Sequence, residues 1–354
     1  MKLIICIIIS IYLANATRKL HTYDVAIQRK MFVSFKHDFD KSYDSEEHEN
    51  SSFEHFVESL KVIDQLNSER VNVQDAQFDI THFADMNKTN LIGSPIEHRI
   101  NIPDEKLNID KKGRKLAGCD DNYDRNTNKD WSTGRSRLTT AVKNCGNCLY
   151  GSWAFSVAEQ IESDVKREYE IDYILSPQQL LHCVTNNFGC GSTAFLGSAG
   201  ASFQYLQNHG LQGENTYPYR SSNGQTGGPC RENYNDELAM VSGFFTIFTG
   251  NEGCMTRYVQ EKGPLAACFT INMNSWFYYS GGVMSSQQCS GNNGFVCAQI
   301  TAVKLSGHNN YWKVRGSFGT SWGEGGFIRL SHGDNTCLLT QEPIYTEVYT
   351  QGEF

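Results

Sequence analysis

Between residues 17 and 118 the sequence contains no cysteine, although it contains 12 in all. Cys6 lies in the first segment, and the other eleven fall between Cys119 and Cys337. A stretch without thiols carries no disulfide framework, so the chain reads as a charge-rich, cysteine-free front and a disulfide-stapled body. No histidine occurs between His209 and His308, which excludes an imidazole base from that stretch. Past the first segment no apolar run approaches the ~18–20 residues that a membrane span needs. A basic excess is also missing. Lys and Arg total 31 against 39 Asp and Glu, a net charge of −8, which argues against a nucleic-acid partner.

What is present begins with "MKLIICIIISIYLANAT". Lys2, the apolar run Leu3 to Leu13 and the Ala14-Asn15-Ala16 triplet have the form of a signal peptide. Residues 1–16 are expected to be removed after Ala16, which places the product outside the cell, or alternatively in the lysosome or another endomembrane lumen. Disulfides form in those compartments. The 354 residues, 39% hydrophobic and 20% charged, suit a folded protein of one or two domains with appendages.

In the front segment, Phe32 to Asn67 has a helical pattern. Phe53, Phe56, Leu60 and Ile63 recur at three and four, one stripe of a long helix from about Ser45 to Asn67. "FDITHFADM" reads as a short strand and a turn, and "DEKLNIDKKGRKLAG" as a linker open to cleavage. Asn50 and Asn87 head glycosylation sequons. In the body, "SWAFSVAEQIESDVKREY" predicts a helix from Ser152 to Tyr169 with Trp153, Val157, Ile161 and Val165 on one face. "LSPQQLLHC" predicts a second, capped by Ser176 with Pro177 in its first turn. "AGASFQYLQNHG" predicts a third, stopped by Gly210. From Met240 onward short runs rich in β-branched and aromatic residues, separated by glycine, predict strands. A helical half followed by a β half gives an α+β class with a cleft where the halves meet.

The motifs "NCGNCLYGSWAFS", "LSPQQLLHC", Gly189-Cys190, "TYPY" and "GTSWGEGGFIRL" follow in an order that resembles the papain-like cysteine peptidases. The resemblance covers nearly the whole chain. It implies a two-domain papain-like fold, with a helical left half, an antiparallel β-barrel right half and an N-terminal helical inhibitory propeptide. The implied division is signal peptide 1–16, propeptide 17–115 and peptidase-homologue domain 116–354. Phe56, Ile63, Asn67 and the "FAD" at 83–85 keep part of the family's propeptide pattern, whereas Ser52 and Ser59 stand at its Arg and first Asn. The chain is similar to the cathepsin L and mite group 1 allergen branch, and within it to inactivated paralogues of the scabies mite that carry serine at the nucleophile position.

A cysteine peptidase needs a thiolate, a histidine to keep it ionised, a residue to orient that histidine, and oxyanion donors. The resemblance places these at Ser152, Ala298, Gly316 and Cys145, so all four have changed. The loop before Ser152 is one residue longer than the family's, Cys148 is the counterpart of a structural cysteine, and Phe318 replaces a shielding tryptophan. A lone serine without a base is a poor nucleophile, and loss of central triad residues costs on the order of 10⁶ in turnover. His182 and His308 read as surface residues.

The resemblance also implies three bridges, Cys148–Cys190, Cys183–Cys230 and Cys289–Cys337. Cys145 and Cys297 are expected to face each other across the cleft, either as a fourth bridge or as two small buried thiols. That leaves Cys119, Cys254 and Cys268, with Cys119 expected as the odd thiol. No metal and no cofactor is implied. The expected partners are the chain's own propeptide and an unidentified host or extracellular protein, with no nucleic acid and no membrane. Three function classes follow: a secreted pseudoprotease that binds, decoys or regulates; an active cysteine-type endopeptidase; and a structural or storage protein with a filled cleft. Ser192 and Thr193 replace two glycines of the family's substrate edge, which tilts the reading towards a partner on another surface.

Overall fold

The computed structural model describes residues 24–87, 123–184, 190, 198–247, 250–291, 294–307 and 309–352. The front folds as helices α1 (Val25–Asp38) and α2 (Glu46–Ser68) and a short strand β1 (Gln77–Phe78). The expected helical run from Phe32 is therefore broken at 39–45. Asp40 sits at φ 51°, a left-handed conformation that a helix interior does not accept. The helix restarts where Ser45 Oγ accepts from the His48 N–H at 3.1 Å, with Glu46, Glu47 and Glu49 at the positive end of α2.

The buried face of α2, made by Phe53, Phe56, Leu60 and Ile63, decides where the front docks. Phe56 meets Phe32 and Phe35 of α1 at 5.3 and 5.1 Å between ring centres. This core does not close on itself but continues into that of the β half. Phe83 lies 4.5 Å from Phe277 and 5.5 Å from Phe318, and β1 pairs antiparallel with Tyr279–Gly281. Ser59 ties α2 to the body: its Oγ lies 2.7 Å from Ala84 O and 2.7 Å from the Tyr278 hydroxyl. The Asn67 side chain bonds both the N–H and the carbonyl of Phe78, at 3.1 and 2.7 Å.

The body is α+β, as the sequence implies. Strand β2 (Lys129–Asp130) leads to α3 (Ser152–Tyr169), α4 (Pro177–Cys183) and α5 (Ser198–Tyr205). Then come β3 (Leu211–Gln212), β4 (Glu237–Thr246), α6 (Glu252–Glu261), β5 (Leu265–Ile271), β6 (Tyr279–Gly281), β7 (Val283–Met284), β8 (Gly294–Lys304), β9 (Tyr311–Arg315), β10 (Phe327–Ser331) and β11 (Ile344–Thr350). The sheet order is β3-β4-β11-β5-β8-β9-β10-β7, with β2 beside β8. The β half is not wholly antiparallel, because β7 and β10 run parallel. Ser176 caps α4 by accepting from the Gln179 N–H at 3.0 Å. The ends of α3 fall where its sequence pattern places them. Trp153, Val157, Ile161 and Val165 lie together in one core, and the polar residues between them are covered as well, so every residue from Ser152 to Val165 is buried.

Two outcomes follow for the docked front. Phe83→Ala should cost about 3–5 kcal/mol and speed tryptic cleavage within α1 in the full chain; unchanged protection would contradict this docking. His82 is packed against Phe83 at 3.8 Å, its Nδ1 has no hydrogen-bond partner among the described residues, and burial beside Lys41 pushes its pKa down to about 3. A folded value below the unfolded one gives stability that is complete above about pH 6.5 and lost as pH falls. Protection of 24–87 should therefore weaken by about 1–2 kcal/mol between pH 7 and 5, and His82→Phe should abolish that part of the change.

Candidate functional site

The site lies where the N-terminus of α3 meets β8 and the turn after β9. Leu149–Gly151 forms a 3-10 turn leading into α3, and the Ser152 N–H donates to the Leu149 carbonyl. Gly151 is required there, since a Cβ would sit 2.6 Å from Cys148 Sγ. Ser152 is fully buried, and its Oγ accepts from the Cys297 N–H at 3.1 Å. In acyl-transfer enzymes the nucleophile's own N–H is one of the donors that stabilise the oxyanion. Here that donor has an internal acceptor.

Ala298 is buried in β8, and its carbonyl accepts from Ser156 Oγ at 2.9 Å. Gly316 follows β9, its N–H bonded to the Gly326 carbonyl at 3.0 Å. A Cβ at 316 would stand 2.8 Å from Trp322 and 3.2 Å from Phe318, so the two rings occupy the space of a larger side chain. Phe318 packs edge-on against Trp322 at 5.1 Å. Cys145 is buried, with its N–H on the Ser317 carbonyl at 2.8 Å and its carbonyl taking the Tyr219 hydroxyl at 2.7 Å. Burial pushes its thiol up to about 12, so it stays protonated and has little donor strength. The four positions thus converge on one place, and the groups found there are Ser152, a methyl, a glycine and a buried thiol.

The three bridges implied by resemblance are present, Cys148–Cys190, Cys183–Cys230 and Cys289–Cys337, with Cα separations of 4.9, 4.7 and 5.3 Å. The Cys145–Cys297 bridge is not. Cys297 is bonded to Cys268, and Cys145 is free and buried. The cause is strand register: β5 and β8 place Cys268 directly opposite Cys297, where cross-strand side chains are closest. Cys254 is also disulfide-bonded, while Cys119 lies outside the described residues. His182 is not a surface residue. It is half-buried, with Nδ1 2.8 Å from the Tyr217 hydroxyl and Nε2 2.9 Å from the Thr226 carbonyl. His308, Ser192 and Thr193 lie outside the described residues. Asn50 and Asn87 are both exposed.

Sequence reasoning missed the polar residues of α3. Glu162 takes Lys143 at 2.8 Å and the Leu175 N–H at 2.8 Å, which fastens the loop before the site to the helix. Glu159 meets Arg315, the residue before Gly316. The available signal was the run "EQIESD", too polar for a helix whose apolar residues are all buried.

Comparison with known proteins agrees with this architecture. The profile of the papain family cysteine proteases matches residues 125–347, and that of the cathepsin propeptide inhibitor domain matches residues 32–91. The chain is 28% identical to Cathepsin L 2 of Paramecium tetraurelia, over 95% of its own length and 97% of that protein. It is 33% identical to Cathepsin K of Mus musculus, over 57% of its length and 59% of that protein. The structure resembles digestive procathepsin L2 proteinase from the Tenebrio molitor larval midgut with a TM-score of 0.74 at 25% identity, covering 90% of this chain and 99% of that one. The chain belongs to the papain family of cysteine proteases, on its cathepsin L-like branch, and carries that branch's propeptide domain.

Proposed function

We propose that this chain is a secreted, catalytically silent member of its family, a pseudoprotease that acts by binding a protein partner as decoy or regulator. The observation that carries the reading is the state of Ser152. Its Oγ and its N–H are both engaged inside the chain, and residues 298 and 316 offer neither an imidazole to deprotonate it nor an amide to orient one. Without a base a serine hydroxyl is not activated. The curated relatives carry proteinase names, and the sequence alternative of an active endopeptidase rests on them; it lacks a base in the site.

In this reading residues 1–16 direct secretion, 17–115 form the propeptide, and 116–354 form the body. Asn50 and Asn87 are exposed and available to carry glycans. Removal of the propeptide needs a separate protease, since self-cleavage is excluded. The partner is an extracellular or host protein, engaged by a surface other than the old substrate groove. A structural or storage role would leave the body without a specific partner, which a pull-down from host plasma or tissue extract separates from binding.

The expected result is that the propeptide-free chain hydrolyses a fluorogenic peptide library no faster than buffer. Ser152→Cys alone should leave it inert. Measurable turnover by the unmodified chain that disappears in Ser152→Ala would overturn the reading. Adding the orienting amide should also be costly in itself: Gly316→Asn places a side chain against Trp322 and Phe318, and about 1–3 kcal/mol of stability should be lost in denaturant unfolding. A Gly316→Asn chain as stable as the parent would show that the space is not filled.

A further inference from the structure

Three polar side chains outside the four altered positions meet directly beneath them. Glu159 lies on α3 about two turns beyond Ser152. Gln299 follows Ala298 on β8, and Arg315 precedes Gly316 on β9. Arg315 and Glu159 have 0% and 1% of their side chains exposed, with Arg315 Nε 3.4 Å from Glu159 Oε2. Arg315 Nη1 donates to the Thr140 carbonyl and hydroxyl at 2.8 and 3.2 Å, and Nη2 to Gln299 Oε1 at 2.7 Å. Gln299 Nε2 in turn lies 3.1 Å from the Glu159 carbonyl, 3.2 Å from Gln160 Oε1 and 3.0 Å from Ser163 Oγ. The set joins the helix that carries Ser152 to β8, which carries Ala298, and to β9, which leads into Gly316.

We propose that Glu159, Gln299 and Arg315 form a pH-responsive lock between the halves, one layer below the place where an active relative holds its nucleophile and histidine together. The assignment of that layer rests on the reading of Ser152, Ala298 and Gly316 given above. A buried charge left alone costs far more than a paired one gains, so each member depends on the others. Glu159 Oε1 has no hydrogen-bond partner among the described residues, which leaves one face of the carboxyl free to hold a proton. The groups that face it are Arg315 from β9, Lys143 and the Cys145 thiol from the loop before α3, and Glu162 from α3 itself. Burial pushes the Glu159 carboxyl up to about 7, against the pull of Arg315 and Lys143 and with the push of Glu162.

The direction of the response follows from linkage. An ordinary glutamate titrates near 4.5, so the folded chain holds this proton more tightly than the unfolded one. The stability from this group is complete below about pH 4.5 and is lost as pH rises through about 7. Below that range the neutral carboxyl sits in the lock while Arg315 keeps Gln299 and Thr140. Above it a carboxylate is carried in the interior, balanced by Arg315 and Lys143.

Thermal unfolding of the full chain at pH 5 and pH 8 tests this. Glu159→Gln mimics the protonated form, so it should unfold near the parent at pH 5 and exceed the parent's midpoint at pH 8 by ~4 °C or more, whatever His82 adds to both chains. Arg315→Met should lower the midpoint by ~10 °C at both pH values, and Arg315→Lys, which keeps the charge but loses the fork, should fall between it and the parent. If Arg315→Met does not fold, the Glu159→Gln comparison decides alone. A Glu159→Gln chain with the parent's full pH difference, or an Arg315→Met chain within ~2 °C of the parent, would overturn the lock. Peptide turnover is not read in this experiment, so an active parent would overturn the proposed function without moving these midpoints.

Discussion

Because α3 is buried from Ser152 to Val165, every polar group on it needs a partner inside the protein, and those partners come from both halves. Lys143 and the Leu175 N–H meet Glu162. The Thr346 N–H and Gln160 meet Asp164, each at 3.0 Å, and Gln160 also reaches the Pro264 carbonyl at 3.1 Å. Ser156 bonds the Ala298 carbonyl. The helix is therefore braced to the sheet along its length, and the geometry at its N-terminus is inherited from that bracing. A buried network of this kind fixes one arrangement when it is fully satisfied and is costly when it is not.

The same constraint explains the character of the site. A working nucleophile at the start of α3 would need a free hydroxyl or thiol, a free oxyanion donor and a movable proton. Here the turn at Leu149–Gly151 takes the Ser152 N–H onto the Leu149 carbonyl, and the Cys297 N–H donates to the Ser152 hydroxyl oxygen. Cys297 is itself held by Cys268 on the neighbouring strand, so the bond to Ser152 is made from a fixed position. On the proposed reading, this bond stands where an active site would need a proton-transfer pair. The docked propeptide reaches this region through Phe83, which packs on Phe318.

Much of this was legible in the sequence where short-range pattern and side-chain chemistry coincide. The ends of α3, the Ser176 cap of α4 and the apolar face of α2 could be read because caps and periodicity are local. The three family bridges and the four altered positions came through resemblance. What failed was non-local. The Cys268–Cys297 pair depends on the register of β5 against β8, and a shift of one residue turns every side chain to the other face. The break at Asp40 depends on one left-handed residue in an otherwise helical pattern. The burial of the polar residues of α3 was not legible because the groups they meet, Arg315, Lys143 and Thr346, lie on other elements. His182 was misplaced for the same reason, since its partners Tyr217 and Thr226 lie far along the chain.

The central claim is that Ser152 is chemically inert because its surroundings neither activate it nor let it react. Intact-mass measurement of the propeptide-free chain after exposure to a fluorophosphonate and to peptidyl epoxides tests that claim without depending on substrate choice. The account predicts an unchanged mass with both reagents. An adduct that maps to Ser152 would contradict it.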